Sequence, residues 1–240
     1  MAYLNNVRDG RQAKVYLLEH GTTSASTLTL GKIYCITGKK SSSSVFGNLN
    51  IGDYFICTGS SAPAELSGGD TCVEVTPKFF GGATDKDLSF EKSTAEITCD
   101  KDSAANVTSN GVVTGSGSIT AYDLLQTGDT ALNAVKKRFN NVVTYAAGGT
   151  PTGAEADRTE KDVLMFLWDA RDLEDGEYMA FDFVPCFITS LGHGSAYGSG
   201  QTAPVNFSTA DTDEAGHRRS YQVVPYQSQI GTQIAAWDAN

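Results

Sequence analysis

Between residues 163 and 183 two apolar segments flank an acidic glycine turn, and this arrangement limits what the chain can fold into. Residues 163–168 are apolar at every position, the pattern of a strand covered on both faces. Glu174-Asp175-Gly176 turns the chain. In the returning segment Met179, Phe181 and Phe183 share one face, while Tyr178, Ala180 and Asp182 share the other. A buried strand beside an alternating one points to an antiparallel sheet with a substantial core.

The rest of the chain extends this β reading. Residues 28–38 align with residues 49–59 at an offset of 21, matching Gly31 with Gly52, Tyr34 with Phe55 and Gly38 with Gly59. Each copy reads as a turn glycine followed by an apolar strand, and a third strand near 71–77 completes a small β unit. Two copies are too few for a solenoid. From Asp87 onward Leu88 and Phe90 alternate with Ser89 and Glu91, a half-covered strand that continues through 95–99. Asn110-Gly111 is a strong tight-turn signal, because a type I′ turn needs positive φ at both central residues. The return strand is expected over 112–124, loosened by Gly115 and Gly117.

One helix is expected, over about 129–140. Thr127 or Asp129 can cap it, Leu132, Val135 and Phe139 recur at helical spacing, and Lys136, Lys137 and Arg138 suit the negative end of its dipole. Strands, one helix, then more strands imply a mainly β fold: an antiparallel two-sheet sandwich or barrel with one flanking helix. The expected division is an N-terminal arm and small β unit over 1–80, followed by a β core over 81–240.

Composition excludes several functions. The net charge is −10, and residues 154–182 alone carry ten acidic and three basic groups. Phosphate binding needs clustered Lys and Arg. Lys39-Lys40 and Lys136-Lys137-Arg138 are the basic clusters, and both read as solvated faces. The five cysteines (Cys35, Cys57, Cys72, Cys99 and Cys186) are an odd number without a C-x-x-C pair. They read as reduced, buried small hydrophobes. No apolar stretch approaches the roughly 20 residues that cross a bilayer, so no membrane anchoring is expected.

No catalytic constellation emerges. Around Ser195 a nucleophile elbow would need Gly at the position of His193, and no base, nucleophile and oxyanion donors converge. Asp211, Asp213, Glu214 and His217, like the acids of the 169–177 hairpin, read as solvated loop carboxylates rather than metal ligands. No cofactor, metal site or enzymatic activity is expected.

At residues 85–141 the sequence resembles a family. Leu88 and Phe90, then Glu96-Ile97-Thr98 and Lys101-Asp102-Ser103, resemble the first core strand of the major tail proteins of long-tailed bacteriophages. Residues 115–121 resemble that fold's next strand, and the helix and the 163–189 hairpin follow in the family's order. The 28–79 unit is similar to a β module found ahead of such cores. The resemblance implies a virion structural protein, assembled in the host cytoplasm as hexameric rings stacked into a tail tube. Its implied partners are its own copies, a tape-measure protein, tail terminator and tip proteins, and DNA only in transit.

On that reading the acids Glu91, Glu96, Asp100, Asp169 and Asp182 face the lumen, where negative walls repel phosphate. Val107, Asn110, Gly111 and Val112 belong to a hairpin between subunits or rings. The 100–120 segment, poor in large apolar residues, is expected to become ordered only on assembly. A virion β-sandwich that binds a receptor or decorates a capsid is the alternative.

Overall fold

A computed structural model describes residues 13–59, 64–66, 68–98, 106–122, 131–140, 142–144, 148–154, 162–168, 173–195, 200–210 and 219–239. In chain order the strands are β1 (Lys14–Ser24), β2 (Thr27–Leu28), β3 (Ile33–Gly38), β4 (Tyr54–Ile56), β5 (Ala64–Glu65), β6 (Thr71–Phe79), β7 (Asp85–Thr98) and β8 (Asn106–Tyr122). Helix α1 (Ala131–Phe139) precedes β9 (Val142–Thr144), β10 (Thr152–Ala154), β11 (Asp162–Trp168), β12 (Tyr178–Leu191), β13 (Thr202–Thr209) and β14 (Ser220–Pro225). Helix α2 (Ser228–Asp238) follows.

The fold is mainly β and antiparallel, as expected. Ten strands form one sheet in the order β4-β3-β6-β1-β11-β12-β13-β8-β7, with β14 also on β12. β9 with β10, and β2 with β5, form two-stranded ribbons. Strand β12 is the corner of the sheet. Residues 178–183 pair with β14, whereas residues 186–191 pair with β13. The end strands β4 and β7 do not pair with each other, so the sheet is not a closed barrel.

Side-chain alternation produces two cores on the two faces of this sheet. On one face Tyr16, Ile33, Tyr54, Met165, Phe181 and Phe183 pack with Ile230, Ile234 and Trp237 of α2. That half of the sheet curls, because Tyr54 of β4 stacks on Phe183 of β12 at 5.3 Å although four strands separate them in the sheet order. The Gln222 amide of β14 donates to the Tyr54 carbonyl, bridging the gap between the two edges. On the other face Val15, Leu164, Phe166 and Val184 pack with Ile119, Val205, Phe207 and the α1 residues Leu132 and Val135. The β13–β8 half therefore bends across the β1–β11 half, giving the layered arrangement of a sandwich.

The helix expected over 129–140 is α1, although Phe139 stands largely exposed instead of joining Leu132 and Val135. Helix α2 is a second helix that the single-helix expectation lacks. Its core residues Ile230, Ile234 and Trp237 recur at helical spacing. Asp238 at its end accepts from the Tyr16 hydroxyl at 2.7 Å and pairs with Lys14 at 2.5 Å. Burial first, then Asp238, pushes the Tyr16 phenol well above its ordinary range, so it remains a donor.

The N-terminal repeat has a structural counterpart. Its two copies supply β3 and β4, which pair with each other, and the matched Gly31 and Gly52 both have positive φ, 82° and 88°. Strands β3, β4 and β6 join the same sheet as the later strands through β1. Asp70, with its side chain buried, fixes the loop before β4. It accepts from the Lys40 backbone N–H at 3.0 Å and from Ser43 Oγ at 2.8 Å. Burial works against its charge, but these donors and the Lys40 ammonium more than offset that and hold the carboxyl below its usual range. Four of the five cysteines, Cys35, Cys57, Cys72 and Cys186, are described and are buried thiols outside any disulfide, as their apolar contexts imply.

Candidate assembly surface

The feature that stands out from the packed body is the β7–β8 ladder. Its inner part is joined to the sheet, with Ser116–Tyr122 of β8 pairing along β13. Beyond Ser116 the ladder continues from Glu91↔Thr114 to Thr98↔Asn106, each strand having only the other as ladder partner among the described residues. From Ser89, opposite Ser116, to Thr98 is nine residues, or roughly 30 Å of strand at about 3.4 Å per residue. Among the described residues β7 is also an end strand, so its outer N–H and C=O groups form an open pairing edge.

Two aromatic–glycine pairs fix this ladder to the body. Phe90 lies opposite Gly115, where a Cβ would stand 2.6 Å from the Phe90 ring. Phe207 lies opposite Gly117, leaving room for nothing larger than hydrogen. These glycines, expected to loosen the strand, instead let rings of β7 and β13 lie flat across β8. Ile119 and Ala121 next to them are buried in the core. Residues 116–122 pair with β13 within the subunit itself.

Arg219, just before β14, ties the ladder to the sheet. Its guanidinium carbon sits 3.6 Å from the centre of the Phe90 ring, and Nη2 donates to Asp182 Oδ2 at 3.3 Å. Asp182 is only 4% exposed, and its Oδ1 has no hydrogen-bond partner among the described residues. Burial raises its pKa, Arg219 lowers it, and the balance remains upward. A carboxyl with a raised folded-state pKa lends stability that is complete below its unfolded pKa and lost as pH rises through the folded value. Asp182→Asn should therefore gain in melting temperature relative to the parent as pH rises from mildly acidic to neutral. Parallel melts at the two pH values check this, and a gap that does not change with pH would refute it.

The sequence-derived positions fare differently. Glu91 is exposed on the face of β7 opposite Phe90, as alternation implies. Glu96 lies in the outer ladder opposite Thr108. Asp100 and Asp169 lie outside the described residues. Asp182 is on the side of β12 away from Phe181 and Phe183, but it is buried there too, in register with Phe166 and Tyr221 on the neighbouring strands and bonded by Arg219. It is an ion-paired carboxylate inside the subunit, not an open acid.

The expected turn at Asn110-Gly111 is also corrected. Lys92 pairs with Val113 and Thr94 with Asn110, so Gly111 and Val112 together face Ser93. They form a β-bulge within β8, where an extra residue twists the strand. Val107 pairs with Ile97 further out, and the described ladder runs on to Thr98 opposite Asn106. The Arg219–Asp182–Phe90 link had no local signal, because its members come from three distant segments.

The molecule so described is an antiparallel β protein with two flanking helices and a projecting edge ladder. No family model matches the chain, and no curated protein matches it. Solved structures do resemble it. One, from the virion of a native gene transfer agent particle, has a TM-score of 0.37 and 15% identity, covering 61% of this chain and 88% of its own. A chain of the tail of an empty gene transfer agent particle, refined with C6 symmetry, has a TM-score of 0.34 and 14% identity over 63% of this chain and 87% of its own. The SPP1 tail tube subunit has a TM-score of 0.40 and 8% identity, covering 87% and 85% of the two chains.

Proposed function

We propose that this chain is a structural virion protein that self-assembles as hexameric rings stacked into a tail tube, the conduit for DNA ejection. The observation that carries this reading is the β7–β8 ladder, whose outer part extends past β13 with a free strand edge. A long two-stranded ribbon is marginal alone in water, and an open edge invites another chain. Pairing with neighbouring copies satisfies both. Glu91 and Glu96 on the ladder, with Asp100 and Asp169, supply acidic wall positions that repel DNA in transit. Asp182 contributes through Arg219, by holding the ladder base. A tape-measure protein within the tube, and terminator and tip proteins at its ends, complete the assembly, which forms in the host cytoplasm. The role needs no catalysis, cofactor or membrane anchor.

Negative-stain micrographs and light scattering of the purified chain at rising concentration test the reading. Rings or long hollow cylinders are expected. A monomer that persists at the highest concentration, with no cylinders, would overturn it.

A further inference from the structure

We propose that two separate surfaces of this chain, one apolar and acidic and the other apolar and basic, join successive copies head to tail. The proposal rests on the self-assembly reading and assigns the surfaces that carry it. The first surface lies on strands β11, β12 and β14. The register aligns Trp168 with Ala180 and Val223, Phe166 with Asp182 and Tyr221, and Tyr178 with Pro225. Tyr178, Tyr221 and Val223 are 60%, 56% and 58% exposed, although they flank fully covered positions of the same sheet. Large apolar groups clustered on one sheet face mark an interaction site, and Tyr is a favoured anchor there.

The charge beside it is negative. Glu174 and Asp175 are exposed in the turn that leads into Tyr178, and Glu177 folds back to accept from the Glu174 N–H at 2.8 Å. A two-fold contact of this surface with itself would bring these carboxylates together, which is unfavourable in a desolvated interface. The partner surface must therefore differ from it.

The second surface is at the C-terminal end of α1. Phe139 and, four residues on, Val143 are large exposed apolar groups. Lys136 and Lys137 stand in the same last turn, partly exposed, and Arg138 beside them pairs with Asp162 at 2.9 Å. Asp162 begins β11 and Trp168 ends it. The two surfaces thus lie roughly 20 Å apart along that strand, at about 3.3 Å per residue. Separate surfaces of opposite charge on one chain give a heterologous contact, and heterologous contacts close into rings or run on as filaments rather than stopping at dimers.

The test uses the full chain with charge reversals at exposed or partly exposed positions, the fold being checked by circular dichroism. Glu174→Lys with Asp175→Lys makes both surfaces basic, leaving the Glu177 turn bond in place. Lys136→Glu with Lys137→Glu makes both acidic. Each double variant alone should need a roughly ten-fold or higher concentration to assemble. An equimolar mixture should assemble again by alternating the two chains, and a chain carrying all four changes should also recover. If the parent forms cylinders and the reversed variants do so equally well, the surface assignment is overturned while the tube reading stands. Loss that neither mixing nor the four-fold variant restores also overturns it. If the parent itself never assembles, the tube reading fails first.

Discussion

Replacing Trp237 by alanine is expected to destabilise the subunit by about 3–5 kcal/mol, the range for deleting a large buried aromatic side chain. Trp237 is almost fully covered and meets Tyr16 edge-on at 5.9 Å, with Ile230 and Ile234 beside it. Helix α2 packs on the core of the curled half of the sheet through Ile230, Ile234 and Trp237. The polar ties are weaker. Lys14 and Asp238 are both partly exposed, and such ion pairs contribute about 0–1 kcal/mol. The hydrogen bond from Tyr16 to that carboxylate adds about 1.5–3 kcal/mol. Asp238→Ala should therefore cost less than Trp237→Ala. Urea unfolding of the two variants decides it: the Trp237→Ala midpoint should fall further with an unchanged slope. The reverse order would mean that α2 is held by its terminal polar contacts.

What the sequence revealed and what it concealed follow from the same physics. Alternation over 178–183 and the apolar run over 163–168 were legible because strand period is local. The α1 helix was legible because its apolar spacing and terminal basic residues agree, while Thr127 and Asp129 lie outside the described residues. Helix α2 shows the spacing of Ile230, Ile234 and Trp237, but Gly231 interrupts it, no acid marks its first turn and no base its last. Alternation correctly placed Asp182 opposite Phe181, yet it says only which residues share a face, not whether that face is wet. The wetness depends on Phe166 and Tyr221, which arrive from other strands. At Asn110-Gly111 the local turn preference is real, but the long register with β7 overrides it and takes up the extra residue as a bulge. The outer ladder's free edge could not be read at all, since it depends on where β13 stops.

Gly117→Val should detach the ladder from the body, at a cost of about 3 kcal/mol, the upper part of the usual overpacking range. A Cβ at this position runs into the Asp87 carbonyl on one side and the Phe207 ring on the other. The ring could swing aside only into a packed core, where Phe207 already contacts Phe166 at 6.0 Å between centres. The carbonyl belongs to the β7 backbone and could move only by breaking the pairing of Asp87 with Ser118. Gly115→Ala is the instructive neighbour. Its closest contacts are the Phe90 ring at 2.6 Å and the Thr209 hydroxyl at 2.8 Å, both side chains that can shift. Its penalty should be smaller, about 1 kcal/mol. Gly153→Ala, with only an ordinary 3.6 Å contact to Val143, should stay within about 0.5 kcal/mol and serves as a control. Hydrogen exchange in the unassembled subunit reads the effect directly. The 116–122 amides, protected by β13 in the parent, should exchange much faster in Gly117→Val, while those of β11 and the 178–183 half of β12 stay slow. Equal protection of 116–122 in both proteins would show that β8 tolerates the branched side chain, and that the glycine is not what seats the ladder.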